Sequence, residues 1–400
     1  MNKWLSIVAV VVLCLSLVIG IACGGGGEEK EEGVKEVKFA YTDAMSGILG
    51  AVVGVPAKQG VELAAEKIGE FTVGGERYRW KLIFEDNEWT SAGGMATATK
   101  FIYDDGVKLM HQGGADSGMA AQTLCEESEV LVDISSGGME PFGPDRPYSM
   151  QIAAMYMLHT PAFFKWFTEQ HPEVKTVAMI EQDDAVGHAR MECQIAAAEH
   201  FGLEMVLEDY YPVETTEVYP IATRVMAKNP DFFVGSWQVL KAMQEMGYEG
   251  LSTFCLWMQY TGEDIGFENF QGHLCYLPLP FGEGLPPALA EFAEEYEAQY
   301  GAPCELCSFY AALVLYVFTD ILQQAGTVDD MDTILATIDT ETFDTVLFGP
   351  MRFCGEELIG INRVLLWPIQ IHEFSGEQPR VIFEMDAEEA YDLVLEVFGK

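Results

Sequence analysis

Nine short runs rich in β-branched and aromatic residues alternate with helical patterns along most of this chain, and that alternation narrows the fold more than any other feature. The candidate strands are Glu36–Thr42, Trp80–Asp86, Val107–His111, Val130–Ile134, Thr176–Glu181, Leu203–Asp209, Asp231–Gly235, Ser252–Leu256 and His273–Pro278. Apolar residues on both sides of several runs suit strands covered on two faces. Between the runs, Val61, Ala64, Ala65 and Ile68 share a helical face, as do Met95, Ala98, Thr99 and Ile102, and Met191, Ile195 and Ala198. Gly69, Gly106 and Gly202 fall where helices would stop. Strands separated by helices of this length imply βαβ units and parallel sheets.

The alternation splits into two series near Pro147–Ala154. From about Gly282 the pattern turns helical, over Leu289–Tyr300, Phe309–Gln324 and Met331–Ile338, and it ends in extended segments at Gly349–Phe353 and Val364–His372. A chain that builds one lobe, then a second, then returns to complete both acquires a multi-strand hinge, which permits rigid-body closure. The expected fold is therefore α/β, with two doubly wound parallel-sheet lobes joined by a multi-strand hinge. Lobe 1 is expected over 36–151 plus 279–366 and lobe 2 over 152–278 plus 367–385, with a C-terminal helix at 386–400.

The amino terminus sets the compartment. Met1-Asn2-Lys3 precedes an uncharged apolar run from Trp4 to Ala22, then Cys23, four glycines and the acidic stretch Glu28 to Glu32. A run this short between charged flanks reads as a signal peptide, residues 1–22. Gly20-Ile21-Ala22-Cys23 resembles the lipobox of bacterial lipoproteins, with Gly20 departing from the Leu or Val usual there, so Cys23 is the candidate lipidation site. The alternative is an uncleaved membrane anchor. Under either reading 23–35 is a flexible tether and the rest of the chain is extracytoplasmic.

Removing the leader leaves roughly 375 residues, too many for one ordinary core. The net charge of −41 argues against nucleic acid or an acidic membrane as partner. Seven cysteines remain after Cys14 and Cys23: Cys125, Cys193, Cys255, Cys275, Cys304, Cys307 and Cys354. Cys304 and Cys307 have redox or metal spacing but no second pair and no histidine cluster beside them, so buried thiols are the plainer reading. Cys255 and Cys275 sit in successive strands and are candidates for pairing. No nucleophile elbow, phosphate loop, zinc-protease motif or dinucleotide fingerprint occurs, so no catalytic residue, cofactor or metal is assigned.

Several stretches carry a family resemblance: Met45-Ser46-Gly47, Asp104-Asp105-Gly106-Val107, Gly113 to Ser117, Tyr310-Ala311-Ala312-Leu313, and Asp344-Thr345-Val346 leading to Gly349-Pro350. In this order and spacing the chain resembles the type I periplasmic binding proteins, specifically the branched-chain amino-acid (leucine/isoleucine/valine) binding family of ABC importers. The resemblance implies a small-molecule ligand, an ABC permease as membrane partner, a monomer and no enzymatic step. A rival reading is a lipoprotein that presents its ligand to a signalling receptor.

In open parallel sheets ligands bind beyond the carboxyl ends of strands. Two loops there have small or hydroxyl residues, and backbone N–H groups at a helix start can hold an anionic oxygen. By position in the family the ligand carboxylate falls to Ala115, Asp116 and Ser117, and to Ser135, Ser136 and Gly137. Val186 stands about where the family has a stacking aromatic. The loop holding Trp257 and Gln259 has no acid where the family pairs the ligand ammonium. An unpaired buried ammonium is costly, so either Asp184 or Asp116 supplies the charge or the ligand is not an α-amino acid. Trp89, Trp237 and Trp257 fall in cleft loops and suit an aromatic, amide or short hydrophobic acid ligand.

Overall fold

The computed structural model describes residues 33–212, 215–254, 262, 266–279, 282–376 and 378–399. Cys14, Cys23, Cys255, Trp257 and Gln259 lie outside the described residues.

The first sheet contains β1 (Val34–Asp43), β2 (Glu70–Val73), β3 (Glu76–Asp86), β4 (Leu109–Gln112), β5 (Leu131–Ile134) and β6 (Ser149–Met150), in the order β2-β3-β1-β4-β5-β6. β1, β4, β5 and β6 run parallel. β1 begins two residues before the expected strand, within the expected tether 23–35. β2 was not expected from the sequence. It forms a hairpin with β3 through Gly74 and Gly75, both at positive φ (58° and 85°), as a two-residue hairpin loop of this hand requires.

The second sheet contains β7 (Thr176–Gln182), β8 (Glu204–Tyr211), β9 (Phe232–Gly235), β10 (Leu251–Thr253) and β11 (Leu274–Cys275), all parallel. A small antiparallel sheet follows from β12 (Thr342–Asp344), β13 (Pro350–Cys354) and β14 (Val364–Leu365). The chain then returns to the second sheet as β15 (Ile369–Ser375) and β16 (Gln378–Met385), antiparallel strands at its edge. The sheet order is β16-β15-β11-β10-β9-β7-β8.

Helices cover both faces of each sheet. Between the strands of the first lie α1 (Val55–Ile68), α2 (Ser91–Thr99) and α3 (Ala115–Glu127). Between those of the second lie α4 (Tyr156–Gln170), α5 (Ala185–His200), α6 (Tyr219–Met226) and α7 (Trp237–Glu245). The returning chain adds α8 (Pro287–Tyr300), α9 (Leu306–Ala325) and α10 (Met331–Thr340), and α11 (Ala387–Phe398) ends it. Phe39 and Tyr41 of β1 face α1 and α9, whereas Ala40 faces the layer holding Ala98 and Ala121. α9 is long and apolar enough to cross a membrane, but it is packed into this core. In the second lobe Phe163 and Phe167 of α4 stack on Tyr276 and Phe232, at 4.5 and 4.0 Å between ring centroids.

The segments that lead from the first sheet toward the second are tied to each other. Gln151 N–H donates to Arg363 O, and Leu365 N–H donates to Gln151 O, both at 2.8 Å. Trp367 Nε1 donates to Ile152 O at 2.9 Å. The Arg363 guanidinium is buried, donating to Pro147 O and to the Asp339 carboxylate.

Two close approaches test this packing. A Cβ on Gly60 of α1 would lie 2.0 Å from Ser308 O of α9, so Gly60→Ala must push two helix backbones apart. The expected cost is about 1–3 kcal/mol, read by urea unfolding; an unchanged midpoint would contradict the packing. His159 of α4 is fully buried, and burial pushes its pKa down to about 3. The unfolded chain takes up this proton near pH 6.5, so its contribution is complete above that pH and is lost as the pH falls toward 3. His159→Leu should therefore flatten the fall in unfolding free energy between pH 5.5 and 4 by about 1.4 kcal/mol per pH unit. Parallel curves for the two proteins would refute this.

Candidate functional site

The carboxyl ends of β1, β3, β4 and β5 meet on one rim of the first sheet, and a buried asparagine organises them. Asn87 N–H donates to Asp43 O at 3.1 Å. Its side-chain amide donates to Gly113 O at 2.8 Å and to Ser117 Oγ at 3.1 Å, and its Oδ1 accepts from Trp89 N–H at 2.9 Å. One residue, through its backbone N–H and its side chain, thus fixes the loops after β1, β3 and β4. Asp86 Oδ1 adds a second tie, accepting from Met45 N–H and Glu88 N–H, each at 2.9 Å.

α3 opens on Gly114, at φ 81°, with no side chain capping its first turn. Ala115 is buried and Asp116 is exposed. Ser117 is fully buried, and its hydroxyl donates to the carbonyls of Gly113 and Gly114. Ser117 therefore holds the turn together with its side chain, and what the turn offers outward is backbone N–H. Trp89 leans over this turn: a Cβ on Gly114 would lie 3.1 Å from its Cδ1. Its indole Nε1 donates to Asp43 Oδ1, which also accepts from Ala44 N–H at 2.8 Å. Burial pushes the Asp43 carboxyl up, partly offset by nearby His111 and these donors.

Ser135 and Ser136 are half-buried after β5. Ser136 N–H donates to Gln151 Oε1 at 2.8 Å, and its hydroxyl donates to Gly138 O at 2.9 Å. Gly137 touches the other lobe: a Cβ there would lie 2.9 Å from Ala189 Cβ and 3.2 Å from Val186 O of α5. The strand-end loops of the two sheets therefore face each other in contact.

On the second lobe, Asp184 caps α5, its Oδ1 accepting from Gly187 N–H at 2.6 Å. That oxygen is spent on the helix start. Val186 is half-buried in the first turn of α5. Trp237 begins α7, half-buried, and lines a groove of about 480 Å³ with Thr215, Thr216, Tyr219 and Lys241. It also packs against the hydrophobic cluster that contains Tyr41 and Ile152. Cys304 and Cys307 are unbridged, and burial pushes both thiols up, away from the reactive thiolate.

Two buried polar clusters lie beneath the rim; of their members only His111 was placed near the cleft by the sequence, as a strand-end histidine that could touch a ligand or stand by. Tyr41, His111 and Asp133 sit in register on β1, β4 and β5. The Tyr41 and His111 rings stack at 4.5 Å, and His111 Nδ1 lies 2.6 Å from Asp133 Oδ2. In the second lobe Arg190 of α5 donates to Glu181 at 2.6 Å and lies over the rings of Tyr156 and Phe254. Burial pushes the Glu181 carboxyl up, against the pull of Arg190. The available signal was a charged or imidazole side chain in the last residues of an otherwise apolar strand.

The sequence profile of the periplasmic binding protein family matches residues 36–363. A search of curated proteins finds no match. Among solved structures, a periplasmic binding protein from Burkholderia mallei superposes with a TM-score of 0.77 at 14% identity, covering 89% of this chain and 96% of its own. An ABC-transporter solute-binding protein from Rhodopseudomonas palustris, in complex with 3,4-dihydroxybenzoic acid, gives 0.76 at 18% identity, covering 88% and 98%. A leucine-binding protein from Thermotoga maritima gives 0.71 at 18% identity, covering 88% and 99%. Parallel-dominated sheets in a two-lobe arrangement are what this chain has in common with these structures. The chain belongs to the periplasmic binding protein family and has the type I fold of its leucine-binding members.

Proposed function

We propose that this chain is an extracytoplasmic solute-binding lipoprotein that closes over a small organic acid or amide and delivers it to an ABC permease. The observation that carries the reading is the contact of Gly137 with Val186 and Ala189, which brings strand-end loops of both sheets together at one rim. The closing bodies are 36–151 with 279–366, and 152–278 with 367–385. The chain acts as a monomer, held near the permease by lipid at Cys23.

Within the site the two lobes contribute differently. The first turn of α3 has no side-chain cap, so the N–H groups of Ala115, Asp116 and Ser117 are available to a ligand carboxylate. The start of α5 is already capped by Asp184. Ser135, Ser136 and Gly137 form the neighbouring wall, Trp89 a flat one, and Val186 closes from the second lobe. Trp237, Trp257 and Gln259 complete the expected set. Asp116 is exposed and one oxygen of Asp184 is engaged at the start of α5, so neither is a buried carboxylate set aside for a ligand ammonium. This favours an aromatic or short hydrophobic acid or amide over an α-amino acid. The complex of the Rhodopseudomonas palustris protein with 3,4-dihydroxybenzoic acid is in keeping with that preference.

Calorimetric titration with benzoate, 4-hydroxybenzoate, benzamide and leucine tests the ligand class. Saturable binding of an aromatic acid or amide is expected, weakened about 10- to 100-fold by Trp89→Ala through loss of a stacking wall. Tight binding of leucine and none of the others would overturn the preference. Labelled palmitate fed to a bacterial host should enter the wild-type protein but not Cys23→Ser, and equal labelling of both would remove the lipoprotein reading.

A further inference from the structure

We propose that Asp43 is a positioning residue of the ligand site, fixing the Trp89 indole by its N–H so that the ring is presented to a planar ligand. The proposal rests on the solute-binding reading above and narrows it. The first support is an inversion of how an exposed tryptophan normally sits. Such a ring usually keeps its one polar atom in water and its carbons against protein. Here Trp89 is 39% exposed while its N–H points inward to Asp43, which is only 4% exposed. The apolar ring is the part left to the cleft.

The second support is the backbone. Glu88 and Trp89 lie in succession in the left-handed region, at φ 54° and 51°, and neither is glycine. Such a conformation is strained for a residue with a side chain and persists only where its surroundings over-determine it. Asp86 Oδ1 and Asn87 Oδ1 take the two N–H groups of this strained pair, and Asp43 takes the indole. A loop that needed only to turn could place glycines there. This one keeps a tryptophan.

The third support is the space cleared for the pair. A Cβ on Gly113 would lie 2.7 Å from Asp43 Cγ, and one on Gly114 would lie 3.1 Å from Trp89 Cδ1. The two glycines before α3 admit the carboxylate and the indole respectively, so the ring rests beside the uncapped start of that helix. A ligand whose anionic group lies on the α3 N–H groups would then have its plane against Trp89. Asp43 acts through Trp89 rather than on the ligand.

The experiment is a double-mutant cycle on affinity, with benzoate, 4-hydroxybenzoate and benzamide as probes and thermal melts as folding controls. Asp43→Ala should weaken the tightest probe 10-fold or more. Asp43→Asn keeps an acceptor for the indole and should cost less than 3-fold. In a Trp89→Ala background, Asp43→Ala should add less than 2-fold, because the residue it positions is gone. Trp89→Phe keeps a ring but loses the donor, and it should fall with Asp43→Ala, which keeps the test open if Asp43→Ala does not fold. Additive losses across the cycle, or wild-type affinity in Trp89→Phe, would overturn the inference while leaving solute binding intact. Failure of the wild type to bind any probe would overturn the ligand class itself, and this inference with it.

Discussion

A parallel strand buried on both faces can offer chemistry only at its ends, and the rest of this molecule follows from that constraint. β4, β5 and β9 are buried along their whole length, so no ligand can lie on either sheet. The strands of a βαβ series all point the same way, which brings their carboxyl ends to one rim. Every residue that makes the rim usable sits within a few positions of a strand end: Asp43, Asn87, Trp89, Gly113 and Ser136 in the first lobe, Asp184 and Val186 in the second. Helix starts differ in the same logic. α5 satisfies its own first turn with Asp184, whereas α3 begins on a glycine and leaves its donors to whatever enters.

Beneath the rim, a set of buried polar groups pair with one another, and these pairs connect the site to the crossing segments. Asp133 accepts from Ile152 N–H at 2.7 Å with one oxygen and faces His111 with the other. Ile152 is the residue whose carbonyl takes the Trp367 indole N–H. The stacked pair of Tyr41 and His111 is therefore linked through one carboxylate to two of the strands that cross between lobes. Arg363 fixes the same region from the other side, its guanidinium held by Pro147 O and Asp339. A buried charge of this kind is costly unless fully paired, and its pairing here stiffens the lobe-one end of the crossings.

The alternation of β-branched runs and helical faces was legible because it reflects burial on both sides of each sheet. What it could not show were elements without that signature. β2 is a four-residue strand with alternate exposed positions, and only the Gly74-Gly75 turn marks it. β16 was assigned to the second lobe without a strand of its own, its apolar run Val381-Ile382-Phe383 being only three residues long. At the site, the sequence placed Trp89 and Trp237 in strand-end loops but could not say which way each ring turns. Asp184 was read as a possible counter-ion, although an aspartate three residues before a helical N–H is an ordinary cap. Asp43 was passed over because nothing in sequence separates one carboxylate from 63 acidic residues; its role depends on two glycines 70 residues further on.

Closure, as proposed, brings the two lobes together where Gly137 meets α5. A Cβ on Gly137 would lie 2.9 Å from Ala189 Cβ, so cysteines at these two positions reach the roughly 3.5–4.5 Å of a disulfide once the contact yields by about 1 Å. The measurement is the rate of bridge formation under mild oxidation, with and without a bound ligand, followed by gel mobility. The account predicts fast bridging with ligand and markedly slower bridging once the ligand is stripped. Equal rates in the two states, or no bridge in either, would contradict closure at this contact.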